Sequence, residues 1–303
     1  MRIAVLGSSR SWYLGDLCRA AQDRHEIVSC TFAQLTSLLG ENTLKGETPK
    51  IASQDVALNE VDGILVRTMA AGSLEQVVFR MDVLAGLEAA GKLIVNPPKA
   101  VETAVDKYLA SAKLQAAGLR IPRTAVCQTL DDAMAAYQRL GGDVVLKPLF
   151  GAEGRGIARL NDEAMAYRAF QLLAELKAVI YLQEFIPHEG WDIRVLVIGR
   201  KTFAIQRKNP RDWRTNVSRG ATAQPFALTD ALRETALLAA AAVAAPFAGV
   251  DLLPGRDGLL YALEVNAVPG WRALGKTLNI DVAEMVLEYF EQAVSAFPRT
   301  ENS

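Results

Sequence analysis

The chain has 303 residues, of which half are hydrophobic and 22% are charged, a composition typical of a folded soluble protein. Its 33 Lys and Arg residues balance 34 Asp and Glu residues, and the net charge of −1 excludes a global field that would attract nucleic acid or an anionic membrane. The three cysteines, Cys18, Cys30 and Cys127, are scattered and odd in number. They argue against a disulfide framework and favour a reducing, cytoplasmic setting.

Two apolar segments are too short for export or membrane insertion. The run before Gly7 has only about five apolar residues, too few for a secretory signal. The alanine-rich run over 236–248 is interrupted by Pro246 and falls short of the roughly 20 residues that span a bilayer. We therefore expect a first strand at the N-terminus and a buried helix in the alanine-rich run.

Short apolar strands alternate with helical stretches over residues 1–97. In chain order these are RIAVLG, a helix over 12–23, EIVSC, a polar region, GILVR, the helix LEQVVFRMDVLAGLEAAG and the strand LIVN. The alternation predicts a small α/β domain with a parallel sheet covered on both faces. Its turn Gly7-Ser8-Ser9 could receive an anion but lacks the G-x-G-x-x-G spacing of a dinucleotide site, so simple turn chemistry is favoured over cofactor binding.

The prolines Pro97 and Pro98 predict a boundary, followed by a domain over 98–186. A helix carries Lys107 towards Gly118, and two further helices alternate with the strands VVLKP, IARL and VIYLQEFI, which predicts two helices over an antiparallel sheet. The region 187–303 reads as strands DIRVLVIG and TFAIQRK, a polar loop, an apolar helix, strands GVDLL and YALEVN, and a closing helix near 281–296.

The segment VVLKPLFGAEGRGI places three glycines, Gly151, Gly154 and Gly156, between two apolar strands. Bare backbone N–H groups in such a hairpin suit phosphate oxygens, and Lys147 on the incoming strand supplies a cation. An ordinary flexible turn is the alternative. The lysine favours the anion site, because a buried ammonium is costly without an anionic partner.

Two further segments carry polar groups with open interpretations. YLQEFIP holds Gln183 and Glu184 at a domain junction, where a purine edge could bind, but a solvated inter-domain strand would look the same.

The second segment is a basic run around DWRTNVSRG, in which five basic residues lie within 13 positions: Arg207, Lys208, Arg211, Arg214 and Arg219. A solvated loop is the default for such a run. Its intervening Trp213, Thr215 and Asn216 favour a phosphoryl or carboxylate clamp instead.

The stretch LEVNAVPGW interrupts an apolar strand with Glu264 and Asn266. The turn PGRDG predicts a hairpin with GVDLL, which would bring Asp251 to the same face. Carboxylate and amide oxygens are the ligands that Mg²⁺ prefers. We therefore predict a metal site, and consider a chance exposed face the weaker interpretation.

These motifs, in this order and spacing, resemble those of the ATP-grasp ligases, and most closely the RimK-type α-L-glutamate ligases, from about residue 96 onward. The resemblance implies an ATP-grasp fold of α/β plus α+β class: an N-terminal parallel α/β domain followed by two α+β lobes that enclose ATP. It also implies ATP and Mg²⁺, or Mn²⁺, as cofactors.

The resemblance further implies roles for individual residues. Lys107 and Lys147 would contact the ATP phosphates, Glu184 and Phe185 would flank the adenine, and Arg214 and Asn216 would face the γ-phosphate and the acyl intermediate. The implied ATP-binding set is Lys107, Lys147, Gly151, Gly154, Gly156, Gln183, Glu184, Phe185 and Asp192. The implied catalytic set is Arg207, Arg214 and Asn216, and the metal ligands are Asp251, Glu264 and Asn266.

The function that the resemblance implies is ATP-dependent formation of an amide from a carboxylate and an amine, through an acyl phosphate. The partners would be ATP, an amino acid such as L-glutamate and a carboxylate acceptor on a protein tail or small molecule, with homo-oligomer formation left open. Trp271 and Arg272 depart from the protein-modifying members and favour a pterin-like or folate-like acceptor, on which Trp271 could stack. A non-catalytic nucleotide-binding regulator and an interaction module are the alternatives.

Overall fold

A parallel sheet organises the first third of the chain, as the alternation of strands and helices predicts. The computed structural model describes residues 1–40, 48–151 and 156–296. The N-terminal elements are β1 (Arg2–Leu6), α1 (Trp12–Ala21), β2 (Glu26–Cys30), β3 (Leu35–Leu38), β4 (Lys50–Ser53), β5 (Val56–Ala57), β6 (Gly63–Val66), α2 (Leu74–Ala89) and β7 (Leu93–Val95). The parallel order is β2-β1-β6-β7. The strands β3, β4 and β5 form a small antiparallel sheet within the stretch interpreted as a polar region.

Two helices follow the double proline, with a break before Lys107. They are α3 (Pro98–Val105) and α4 (Lys107–Ala116). Asp106 caps α4, because its carboxylate accepts hydrogen bonds from the backbone N–H groups of Tyr108 and Leu109. Apolar residues of both helices pack against the C-terminal sheet. Lys107 is therefore held at the start of a helix that lies on that sheet.

The central lobe is an antiparallel sheet with two helices, as predicted. Its elements are β8 (Thr124–Cys127), α5 (Leu130–Arg139), β9 (Val144–Lys147), β10 (Ala158–Leu160), α6 (Glu163–Glu175) and β11 (Ile180–Glu184). The strand order is β10-β9-β11-β8. Buried residues of both helices, including Tyr137 and Phe170, form one core with the sheet.

A five-stranded antiparallel sheet forms the C-terminal lobe, in the order β14-β13-β12-β15-β16. Its elements are β12 (Trp191–Ile198), β13 (Lys201–Lys208), β14 (Thr222–Pro225), α7 (Asp230–Ala242), β15 (Phe247–Pro254), β16 (Leu260–Asn266), α8 (Arg272–Leu278) and α9 (Val282–Ala296). The sequence reading missed β14 and α8. The edge strand β14 is short and mostly exposed, so it lacks the apolar pattern that identifies inner strands.

The N-terminal sheet and the C-terminal lobe share one apolar core. Ile3, Val5 and Leu65 lie in the same buried cluster as Leu196 and Phe290. The side chain of Asn96 joins the two parts, donating to the carbonyl of Phe247 at 2.6 Å and accepting from its N–H at 2.9 Å. Over the ranges that the structure covers, we find no helix with the length and apolar character needed to cross a membrane.

Candidate active site

The hairpin of β15 and β16 brings the predicted metal ligands together. Asp251 lies directly opposite Glu264, and Asn266 lies opposite Gly249. Residues directly opposite in an antiparallel pair share one face of the sheet. The predicted hairpin is therefore confirmed, while the metal-binding role of its oxygen atoms stays a prediction.

A buried charge network extends this face onto β12 and β13. Arg207 forms a two-point ion pair with Asp192, with Nε 2.8 Å from Oδ1, and its Nη2 also lies 3.0 Å from Asp251 Oδ2. The Thr215 hydroxyl donates to Asp192 at 2.6 Å, and Arg194 Nη1 donates to Asp251 Oδ1 at 2.7 Å. Asp192 is thus engaged by Arg207 and Thr215.

Arg194 is a member of this network that the sequence reading missed. An added Cβ at Gly249 would clash with its guanidinium group, so the glycine leaves the space that the side chain crosses. The signal was available in DIRVLVIG, where Arg194 follows Asp192 by two positions and therefore shares its face. The same rule had singled out Glu264 and Asn266.

The two arginines determine the charge state of Asp251. Burial alone would raise the pKa of Asp251, but the Arg194 and Arg207 guanidinium groups outweigh burial and hold the pKa below its ordinary value. Asp251 therefore stays ionised within the enclosed network. An ionised carboxylate is the form that binds a divalent cation.

A narrow cavity joins this face to the central lobe. Its lining includes Lys107 from α4, Lys147 from β9, Tyr181 from β11 and Glu264 from β16. Three residues that are far apart in the sequence, two predicted phosphate cations and one predicted metal ligand, thus border one space. Two ammonium groups beside one space favour an anionic oxygen, such as one of a phosphate group.

Both lysines hold protein oxygen atoms in this structure. Lys147 Nζ donates to Gln183 Oε1, and Gln183 donates in turn to the Thr124 hydroxyl at 3.1 Å. Lys107 Nζ donates to the Gly151 carbonyl at 2.9 Å, at the start of the glycine-rich hairpin. Gly151 and Gly156 both have positive φ, whereas Gly154 lies outside the described residues.

Glu184 and Phe185 lie at the end of β11 with partners of their own. The Glu184 carboxylate accepts a hydrogen bond from the Arg123 backbone N–H at 2.8 Å and also pairs with the Arg123 guanidinium. The guanidinium of Arg159 lies 3.5 Å from the centroid of the Phe185 ring. Phe185 thus presents an aromatic face to a flat cation, whereas the Glu184 carboxylate is already engaged.

Arg214 and Asn216 occupy the loop after β13. Arg214 Nη2 pairs with Asp212 at 2.7 Å, and its Nη1 donates to the Ile157 carbonyl at 3.3 Å, just beyond the glycine-rich hairpin. Half-buried Asn216 precedes a short 3-10 turn, Val217–Arg219. Arg214 therefore links the C-terminal loop to the base of the hairpin, and its catalytic role stays a prediction.

The expectation for Trp271 was wrong. Its side chain is 1% exposed and packs against Tyr13, with ring centroids 4.7 Å apart, and against Phe247. Its indole N–H donates to Asp16 at 2.8 Å. The ring is enclosed by protein side chains and its N–H is engaged, so in this structure it is not free to stack on a substrate ring.

The charge of Lys147 predicts a pH dependence of ATP use. Burial lowers the pKa of Lys147 to about 8, because the ammonium loses hydration. We expect kcat/KM for ATP to fall as the pH rises through this value, since the neutral amine no longer attracts phosphate. The Lys147→Arg variant should keep its activity to higher pH. If kcat/KM for ATP falls at the same alkaline pH in both proteins, a group other than Lys147 is titrating.

Removing the Lys147 side chain should weaken ATP binding. One charge-assisted contact contributes about 1.5 to 3 kcal/mol, so we expect Lys147→Ala to raise the Kd for ATP roughly 10- to 100-fold in calorimetry. Lys99→Ala is the matched control, because Lys99 is exposed on α3 and pairs with Glu102. Equal ATP affinity in Lys147→Ala and Lys99→Ala would place the phosphates elsewhere.

Comparison with known proteins gives one family. Residues 104–290 match the model of the RimK-like ATP-grasp domain. The chain is 35% identical over 266 residues to the tetrahydromethanopterin:α-L-glutamate ligase of Methanosarcina acetivorans, covering 78% of this chain and 82% of that protein. It is 33% identical over 303 residues to the ligase of the same name from Methanocaldococcus jannaschii, covering 98% and 100%.

A solved structure has the same fold. The ATP-grasp ligase PsnB, in complex with a minimal precursor, Mg and ADP, superposes with a TM-score of 0.74 at 20% identity, covering 96% of this chain and 97% of that one. The order of a parallel α/β unit, a central antiparallel lobe and a C-terminal sheet is thus shared. The ATP-grasp fold expected from the motifs is confirmed.

Proposed function

Because this chain belongs to the RimK-like ATP-grasp family and is an ATP-dependent carboxylate–amine ligase, we propose that it adds L-glutamate to the carboxylate of a pterin-type acceptor. The observation that carries the site is the cavity bordered by Lys107, Lys147 and Glu264. The acceptor is suggested by two relatives at 35% and 33% identity, both tetrahydromethanopterin:α-L-glutamate ligases. The family favours catalysis over a regulatory role.

The proposed reaction has two steps. The acceptor carboxylate attacks the γ-phosphate of ATP and gives an acyl phosphate and ADP; the amine of L-glutamate then displaces phosphate and forms the amide. Lys107 and Lys147 bind and orient the phosphates, and Arg214 is positioned to offset charge on the transferring group. No side-chain nucleophile is required, so positioning and electrostatics supply the catalysis.

The residues of the β15–β16 hairpin fit a hard cation. Asp251, Glu264 and Asn266 offer carboxylate and amide oxygens along one face. Within the described part of the chain Glu264 has no ion-pair partner, whereas Asp251 is shared by Arg194 and Arg207. These three residues would hold Mg²⁺. When bound, Mg²⁺ would neutralise charge on the ATP phosphates.

A reaction with defined acceptors tests this proposal. The enzyme is incubated with ATP, Mg²⁺ and L-glutamate, and with tetrahydromethanopterin, folate or a peptide ending in glutamate. Phosphate release is measured, and mass spectrometry records the added residue. We expect both signals with tetrahydromethanopterin. Addition of glutamate to the peptide alone would contradict the pterin assignment, and phosphate release without any glutamyl product would contradict the choice of amino acid.

A further inference from the structure

Arg67 is a buried cation that has no carboxylate partner among the described residues. Its side chain is 4% exposed, and Nη2 donates to the Pro269 carbonyl at 2.9 Å. The N–H groups on Nε and Nη1 are buried and have no hydrogen-bond partner among the described residues. Buried polar groups normally have partners, so two unsatisfied guanidinium nitrogens point to a ligand.

Aromatic rings enclose this guanidinium group. Its central carbon lies 4.4 Å from the ring centroid of Trp271, 4.7 Å from that of Tyr13 and 5.8 Å from that of Phe247. Burial lowers the pKa of Arg67 to about 10, which still leaves the group charged at neutral pH. Cation–π contacts offset part of the desolvation cost. They satisfy none of the N–H groups.

The position of Arg67 in the fold favours ligand binding. It follows β6 directly, at the carboxyl end of the parallel sheet, and an added Cβ on Gly7 after β1 would lie 3.2 Å from its Cβ. In open α/β sheets, ligands bind in the crevice outside the carboxyl ends of the strands. The neighbouring Pro269 comes three residues after Asn266, so the same crevice lies beside the predicted metal strand.

We propose that Arg67 binds a substrate carboxylate, either that of the amino acid or that of the acceptor, through its unsatisfied N–H groups. This inference rests on the proposed function and specifies the substrate side of the same site. Tyr13 is half-buried whereas Trp271 and Phe247 are fully buried, so the Tyr13 ring is the member of the enclosure that moves to admit the ligand. Through Arg67, the N-terminal domain would contribute directly to substrate recognition.

Steady-state kinetics of Arg67→Lys distinguishes binding from packing. The lysine keeps the positive charge but lacks the planar N–H groups. We expect the KM for either L-glutamate or tetrahydromethanopterin to rise about 10- to 100-fold, with the KM for ATP unchanged. The substrate whose KM rises identifies the carboxylate. A lower kcat or melting temperature with both substrate KM values unchanged would show a packing role and overturn the proposal.

Arg80→Lys is the matched control. Arg80 is also 4% exposed and lies in the same domain, but its Nη1 already has a protein partner, the Ala70 carbonyl at 2.7 Å. Its KM values should equal those of the wild type. A rise in the same KM for both lysine variants would indicate a general effect of weakening the domain, and the assignment of Arg67 would fail.

Soaking a crystal of the wild-type protein with glutarate tests carboxylate binding directly. The result depends neither on the folding of a variant nor on turnover. We expect a carboxylate of glutarate within hydrogen-bond distance of Arg67. Glutarate bound only elsewhere would overturn the inference. If the wild-type enzyme adds glutamate to no acceptor while glutarate still occupies the Arg67 site, the proposed reaction fails and the anion site stands.

Discussion

Replacing Glu264 by alanine is expected to abolish turnover and leave the fold intact. The side chain borders the cavity shared with Lys107 and Lys147, and it faces its neighbour Asp251 rather than the apolar core. Loss of this proposed metal ligand would remove several kcal/mol of transition-state stabilisation, which corresponds to a fall in kcat on the order of 10³-fold. The measurement is kcat at saturating ATP, Mg²⁺ and substrates.

The control for this variant is Glu288→Ala. Glu288 pairs with Lys201 in an exposed ion pair on α9 and has no contact with the cavity. It should retain wild-type kcat, and circular dichroism should give the same melting temperature for both variants and the wild type. Near-normal turnover of a folded Glu264→Ala enzyme at saturating Mg²⁺ would contradict the assignment of Glu264 as a metal ligand.

Replacing Arg207 by alanine is expected to destabilise the protein by about 3 to 5 kcal/mol, because removing one partner leaves buried charge uncompensated. Arg207 pairs with both Asp192 and Asp251, which are 2% and 7% exposed. The melting temperature should fall on the order of 10 °C. Turnover should fall as well, since Asp251 loses one of the two groups that orient it. Thermal unfolding with activity at a permissive temperature measures both effects.

Two comparisons distinguish the effect of losing the buried ion pairs of Arg207 from the effect of losing any positive charge. Arg211→Ala removes an exposed arginine from the loop that follows β13 and should leave stability unchanged. The lowered pKa of Asp251 means that its contribution to stability is present at neutral pH and lost as the pH falls through the folded-state value. The gap between Arg207→Ala and wild type should therefore narrow as the pH falls towards the folded-state pKa of Asp251, because protonation of the aspartates relieves the uncompensated buried charge of the variant first. A gap that stays constant with pH would contradict the electrostatic origin.

The elements that local pattern determines were predictable from the sequence. The parallel strands of the N-terminal sheet and the β15–β16 hairpin follow from apolar runs, alternation and turn residues. Asp251 and Glu264 could be placed together because a hairpin register depends only on the turn and its two strands. The order of the chemistry-bearing motifs likewise identified the family.

Residues whose surroundings come from distant parts of the chain were not predictable. Trp271 carried the signature of a stacking residue, yet its partners Asp16, Tyr13 and Phe247 lie 24 or more positions away in the sequence. Arg67 gave no signal at all, since a single arginine after a strand is ordinary. Its unusual burial arises only where the N-terminal sheet meets the C-terminal lobe.

The shared core has a consequence for dividing the chain. Phe290 lies so close to β6 that a Cβ added at Gly63 would be 2.8 Å from its ring, and Asn96 bonds to both Phe247 and Ala267. A fragment that starts at residue 98 would lose these partners and expose Leu196, Ile205 and Phe247 to water. Truncation at the double proline would therefore produce a fragment with an exposed apolar surface that is prone to aggregate.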